Sequence, residues 1–420
     1  MVQHATQITK TTTSKESSEA FLEKGGGVVR LAPTWVPRLF CTPGQRLRLH
    51  PHDYYALGKD RGGIDERWLA SAIRAENGPL TGPDEGLSFV VEESGLAIPL
   101  DEFINNTGED LLGPLFTTWG RWPVYSKFFD NAAPLPFHIH HRDEHAAAVG
   151  KPGKPEAYYF APEMNNHGGQ FPYTFFGLHP EVTEKQLAKR LGAFSMGGDN
   201  RITELSRAFS LELGAGWDVP AGILHAPGSL CTYEPQADSD VFAMTESWSN
   251  NREVPNDLMW KDVPADRVGD VSYIMELVDW DANTDPDFYS RFFTPKVETD
   301  RSRNGDEDST ESWITYKSAR FSAKEIRIRP GAAIRMVDDA PYGCIILSGH
   351  GKFGNHPASA STSIRFGQLT SDEFFVSFGA ATEGVIVHNM SLTEEMVILK
   401  HFGPDNPELA QDSVTQTTAA

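Results

Sequence analysis

Short runs rich in Val, Ile, Phe and Tyr recur along this chain with Gly, Pro, Asn and Asp between them, among them 87–91 (LSFVV), 156–160 (EAYYF), 240–244 (DVFAM) and 384–387 (GVIV). Runs of that kind form strands joined by turns, and without a regular strand–helix alternation they point to sandwiches or barrels and an all-β class. A chain of 420 residues exceeds what one core usually serves, so two packed units are expected. The polar stretch 297–312 (VETDRSRNGDEDSTES) is nearly free of apolar residues and reads as a linker between units at 28–296 and 313–403. Residues 1–27 and 404–420 are equally polar and read as loose tails. One stretch, about 180–209, breaks the β rhythm: TEKQLAKRLGAF and DNRITELSRAF space their apolar residues as helices do. This insertion is expected either to wall a pocket or to cover one end of the first unit.

The net charge of -21 argues against nucleic acid or an anionic membrane as the main partner, since both require a basic surface. No apolar run approaches a membrane span and the first residues lack the apolar core of a signal peptide, so a soluble cytoplasmic protein is expected. Cys41, Cys231 and Cys344 lie far apart and form no CxxC pair, which predicts reduced, buried thiols.

The segment Pro136-Phe137-His138-Ile139-His140-His141 sets two imidazoles at i and i+2, which share one face of an extended strand. Glu156 follows in Gly153-Lys154-Pro155-Glu156, and His225 comes after the turn Val219-Pro220-Ala221-Gly222. Three imidazoles and a carboxylate suit one divalent first-row metal, Zn, Mn, Fe, Co or Ni, without selecting among them. Such a set leaves coordination positions open, as catalysis requires. Either motif alone is weak evidence; both, in order and with Glu156 between them, converge on one metal site.

HxH, a Glu and PxGxxH resemble the two signature motifs of the cupin superfamily, and the chain is most similar to the type I mannose-6-phosphate isomerases in their short bacterial form. The similarity runs through Gly62-Gly63-Ile64-Asp65-Glu66-Arg67-Trp68, Lys127-Phe128-Phe129-Asp130, the segment from His138 to Ala146, Gly153-Lys154-Pro155-Glu156, His225-Ala226 and the run from Thr232 to Val241. It spans about two-fifths of the chain. The resemblance implies two cupin (jelly-roll type) β-barrels with a short helical insertion, zinc as the metal, and His140, Glu156 and His225 at family ligand positions. His138 stands where the family has a ligand Gln, and Met244 stands where it has an arginine near the reacting sugar. The second barrel contains His350 and His356 but no comparable set, and is expected to be a degenerate, metal-free cupin that supports the first or makes a homodimer contact.

Around the metal, Lys154 is expected to shuttle a proton or to donate to substrate, with Glu234 and Asp240 as further candidates for catalysis. A surface lysine and two exposed carboxylates are the alternative readings. Lys127, Glu66 and Arg252 are candidates for binding substrate, although an edge lysine and a structural ion pair would explain the first two equally well. Tyr158 and Tyr159 must point to opposite faces of an extended strand. His141, His145 and His167 receive no ligand role. Together these features predict a metal-dependent aldose–ketose isomerase acting on a sugar or sugar phosphate through a cis-enediolate. The alternatives are a cupin dioxygenase, toward which the extra imidazole of His138 points, and a sugar-binding protein without turnover, toward which Met244 points.

Overall fold

The computed structural model describes residues 9–11, 13–92, 95–165, 172–303, 305 and 307–412. Its centre is a pair of seven-stranded sheets. The first runs Phe293–Pro295, Ala215–Val219, Glu156–Tyr159, Thr232–Ala237, Val124–Phe129, Gly63–Leu69 and Thr34–Arg38 in spatial order. The second runs Val297–Glu298, Ser309–Thr315, Ser322–Ile328, Met396–Phe402, Tyr342–Ser348, Glu373–Val376 and Val28–Arg30.

Period-2 alternation explains why both sheets are buried on two faces. In the strand Met396–Phe402, Met396, Ile398 and Phe402 join one core, whereas Val397 and Leu399 join another made with Phe128, Tyr159 and Tyr233 of the first sheet. The two large sheets therefore pack back to back, and each large apolar side chain buried there contributes about 1.5–3 kcal/mol. On its far side the first sheet meets a five-stranded sheet, Arg207–Ser210, Tyr173–Phe176, His225–Ala226, His138–Ile139 and Ala243–Met244. The second meets a four-stranded sheet, Ala333–Met336, Val385–Asn389, His350–Phe353 and His356–Ser359.

The protein is thus mostly sheet with some helices, but among the described residues no sheet closes into a barrel. Strands of the five-stranded sheet are two to four residues long, and such short ladders end before they can join a neighbouring sheet.

Four segments differ from the sequence reading. Within 1–27, Lys15–Lys24 form a helix capped by the Ser14 side chain, and its Leu22 is buried against Phe103 and Leu111. Val28–Arg30 pairs with Glu373–Val376 and so belongs to the second large sheet, across the division drawn at 297–312. That division is itself structured, because Val297–Glu298 pairs with Ser312 and Trp313. At the C-terminal end, Pro407–Gln411 is helical, and Trp313 Nε1 donates to Asp412 at 2.9 Å. Polar composition conceals all of these because their few apolar or charged anchors find partners far away in sequence.

The insertion keeps one helix, Glu184–Gly192, with a capping box between Thr183 and Gln186, but its second predicted helix is a short 3-10 turn, Ile202–Leu205, followed by a strand. Leu187, Leu191 and Ile202 pack on Phe137, Ile139 and Leu224, which alternate with the histidines along their strands. The insertion thus covers the back of the histidine sheet. A further helix, Leu100–Leu112, went unrecognised because Asn-Asn-Thr-Gly interrupts its pattern, and Gly108 (φ 41°) kinks it there.

Candidate metal centre

His138 lies on the strand His138–Ile139 and His225 directly opposite on His225–Ala226, their register pairing setting the two rings side by side, tilted 58° to each other with centroids 4.3 Å apart. His140 follows two residues later on the same side, 5.0 Å from each of the other rings. One ring nitrogen from each of the three lies within 4.8 Å of the other two, and among the described residues no other group of three metal-binding side chains gathers in this way. All three histidines are buried.

Backbone carbonyls set the tautomer of each ring. His138 Nδ1 donates to Pro136 O at 2.7 Å, His140 Nδ1 to Val241 O at 2.7 Å and His225 Nδ1 to Ile223 O at 2.8 Å. A carbonyl only accepts, so Nδ1 carries the proton and Nε2 keeps its lone pair. Burial also holds His138 well below the ordinary histidine range and lowers His140 to about 3, leaving both rings neutral.

Across the gap the first large sheet presents the acids and lysines. Glu156 Oε2 lies 3.0 Å from His140 Nε2, and Glu156 Oε1 lies 3.1 Å from His225 Nε2. Tyr158 O–H donates to Glu156 Oε1, while Tyr159, on the opposite face as alternation requires, donates to Glu325 at 2.7 Å. Lys154 Nζ sits 2.7 Å from Glu156 Oε2 and 3.1 Å from His140 Nε2. Burial opposes ionisation of Glu156, but the Lys154 ammonium, together with the adjoining His140 and His225, holds the carboxyl well below its usual range.

Acceptor lone pairs of His225 and Glu156 therefore face each other inside the protein with no proton assigned between them. Three Nε2 lone pairs and a carboxylate gathered in this way fit a divalent cation, which would satisfy all of them.

A second layer of charge stands behind this set. Lys127 Nζ is 3.1 Å from Glu234 and 3.5 Å from Glu66, and Glu234 is 3.7 Å from Lys154. Burial, reinforced by the charge of Glu156, raises Glu234 to about 8. Arg38 lies between Glu66, at 3.2 Å, and Asp240, at 3.1 Å. Burial disfavours the Asp240 carboxylate, yet Arg38 holds it below its ordinary range.

The structure thus brings together His138, His140, Glu156, His225, Lys154, Glu234, Lys127, Glu66 and Asp240. Arg252 stands apart, exposed, donating to Thr42 Oγ1 at 2.7 Å. Met244 is buried and is the register partner of His138, which sets both side chains on one face of the sheet. His141 and His145 are outside the cluster, His350 is exposed, and His356 donates to Val28 O at 2.9 Å. His167 lies outside the described residues.

Arg38 was not anticipated. A charged residue inside the apolar strand TWVPR is the signal that could have revealed it, since such a charge must be paired if the strand is buried.

No protein-family model and no curated protein sequence matches the chain. Solved structures do. The mannose 6-phosphate isomerase of Bacillus subtilis is 17% identical, with 90% of this chain and 100% of that one covered at a TM-score of 0.59. A single-residue variant of the phosphomannose isomerase of Salmonella typhimurium is 10% identical over 90% of this chain and 100% of that one, at a TM-score of 0.61. A zinc-bound mannose 6-phosphate isomerase is 10% identical with the same coverage and a TM-score of 0.59. At these identities the similarity shows the fold: the chain has the architecture of the mannose-6-phosphate isomerases.

Proposed function

We propose that this protein is a metal-dependent aldose–ketose isomerase, with His138, His140, Glu156 and His225 holding one divalent ion, zinc by analogy with the zinc-bound structure of the same fold. In that reading the facing sheets are two jelly-roll units, the first carrying the site and the second, whose interior is braced by Lys324 and Lys400 on Glu311 and Asp338, serving as its support. The observation that carries the proposal is the gathering of His138, His140 and His225, with Glu156 at 3.0 Å from His140 and 3.1 Å from His225 and with Lys154 and Glu234 beside it.

Bound there, the metal would supply Lewis-acid polarisation of a substrate carbonyl. Isomerisation then needs a group to move a proton between neighbouring carbons through a cis-enediolate. Glu234 is suited to that work: raised to about 8 by burial, it exchanges its proton near neutral pH. Lys127, fixed between Glu66 and Glu234, orients this carboxylate. Lys154 can donate to a substrate oxygen while still in reach of Glu234.

Incubation of metal-loaded protein with a panel of aldoses and aldose phosphates in deuterated water tests the proposal. Ketose formation with deuterium at C2 is expected; no isomerisation and no exchange with any member would overturn it. His138 as a third imidazole favours one other reading, an oxygenase, which substrate-dependent oxygen uptake without isomerisation would select.

A further inference from the structure

We infer that the ligand of this centre is an uncharged polyhydroxy compound, an unphosphorylated sugar, and that a phosphorylated one is disfavoured; this rests on the isomerase reading above.

Three cations stand in or behind the centre, and each is already held by carboxylates. Arg38 is shared between Glu66 and Asp240, Lys127 between Glu66 and Glu234, and Lys154 lies on Glu156 with Glu234 next to it. Four buried acidic side chains thus surround three buried cations. Even with Glu156 engaged by a metal ion, Lys154 keeps Glu234. A phosphate dianion generally needs a free Arg, Lys or helix N-terminus, and here it would have to displace a buried carboxylate from its partner. The strand directly across from His138 offers the Met244 thioether, which donates nothing.

A cavity of about 680 Å³ lies on the far side of Arg38 from the histidines, with Phe40, Asn77, Phe242, Leu258 and Lys261 among its walls and none of the residues of the centre lining it. It meets the charged cluster through Arg38, which donates to Asn77 at 2.6 Å, and through the backbone beside Phe242, where Val241 O accepts from His140. Its two cations are also committed: Arg61 lies 2.5 Å from Glu85, and Lys261 lies 3.0 Å from Asp262 and 3.3 Å from Glu76. Asp60, Glu76 and Asp257 add three carboxylates to the lining. Aromatic and aliphatic walls suit the C–H faces of a sugar ring. A carboxylate that keeps its ion pair still has lone pairs for a hydroxyl, so a neutral polyol is bound without separating any buried pair. Among the described residues near this cavity, Arg252 bonds neutral oxygens, Thr42 Oγ1 and the carbonyl of Leu39 at its edge.

The test measures kcat/KM on the zinc-loaded full chain for matched pairs, mannose against mannose 6-phosphate and glucose against glucose 6-phosphate, with ligand-observed NMR binding of the same compounds. The free sugars are expected to be preferred at least about tenfold. Preference for the phosphates, abolished by Arg252→Ala or Lys261→Ala, would overturn this inference and leave the isomerase reading standing. Where no compound is turned over, the isomerase reading fails and binding decides the present point. Binding of a free sugar but not its phosphate supports it; binding of the phosphate alone, or of neither, overturns it.

Discussion

Lys154 Nζ lies 2.7 Å from Glu156 Oε2 and 3.1 Å from His140 Nε2, so one ammonium touches two of the four expected metal ligands. A cation and a metal ion can share that space only if Lys154 turns toward Glu234 or toward substrate when metal is present. Its role is therefore tied to turnover, whereas metal retention rests on the ligands. Lys154→Met is expected to lower kcat by about 10²–10⁴-fold, the usual range for loss of a positioned proton donor, while metal content stays near stoichiometric. Loss of metal in this variant would instead make Lys154 a structural support of the ligand set.

The ligand assignment predicts a sharp contrast. His140→Ala, Glu156→Ala and His225→Ala should each lose most bound metal, because an open site has few protein ligands to spare. His145→Ala and His350→Ala should retain it, their side chains being outside the cluster. His138→Gln keeps a polar donor in place and is expected to bind zinc while holding softer metals less tightly. Metal analysis of the purified variants decides the matter, and full occupancy in Glu156→Ala would refute the site.

The grouping of the three histidines was readable because they obey local rules. The i, i+2 spacing of His138 and His140 sets both on one side of an extended segment, and the turn before His225 starts the strand that pairs with it. Arg38 meeting Asp240 could not be read, since the two are 202 positions apart and only the packing of the first large sheet brings them together. The same holds for Lys324 and Lys400, whose neighbouring strands bury both ammonium groups among Glu311, Asp338 and Glu408. Arg252 lies outside the cluster for the opposite reason: an arginine after the histidine strands is plausible by order alone, but its short hairpin is exposed and sets it on Thr42 and Leu39. Barrels were expected from the recurrent strand-like runs and from the cupin resemblance, whereas strand length bears on closure, and strands in the histidine sheet are as short as two residues.

Glu234 gives a pH prediction. Burial and Glu156 raise it to about 8 in the absence of metal, and a divalent ion nearby favours the carboxylate and pulls it down from there. If it acts as the base, kcat/KM should rise with pH and level off by about 8. Glu234→Gln should remove that limb and reduce the rate about 10²–10⁴-fold. A pH–rate profile unchanged in Glu234→Gln would assign proton transfer elsewhere.

Arg67 links the two large sheets, donating from the first to Asp372 at 2.8 Å and to Glu373 at 3.1 Å in the second, while Glu373 Oε1 accepts from the Ala70 backbone at 3.1 Å. All three side chains are buried. Removing the cation strands the buried Asp372 carboxylate and leaves Glu373 without its partner, so Arg67→Ala is expected to cost about 3–5 kcal/mol in denaturant unfolding. Burial, with Asp372 alongside, also raises Glu373 from 4.5 to about 7. A carboxyl whose folded pKa exceeds its unfolded one binds its proton more tightly in the native state. Its contribution is therefore full below 4.5 and is lost as pH rises through 7. The shift corresponds to roughly 3 kcal/mol lost across that window, at 1.36 kcal/mol per unit. Glu373→Gln cannot ionise and still offers an oxygen to Ala70, so its stability should fall less than that of the unaltered protein between pH 4.5 and 8. Parallel curves for the two proteins over that range would show that Glu373 is ionised throughout and that Arg67, not burial, governs it.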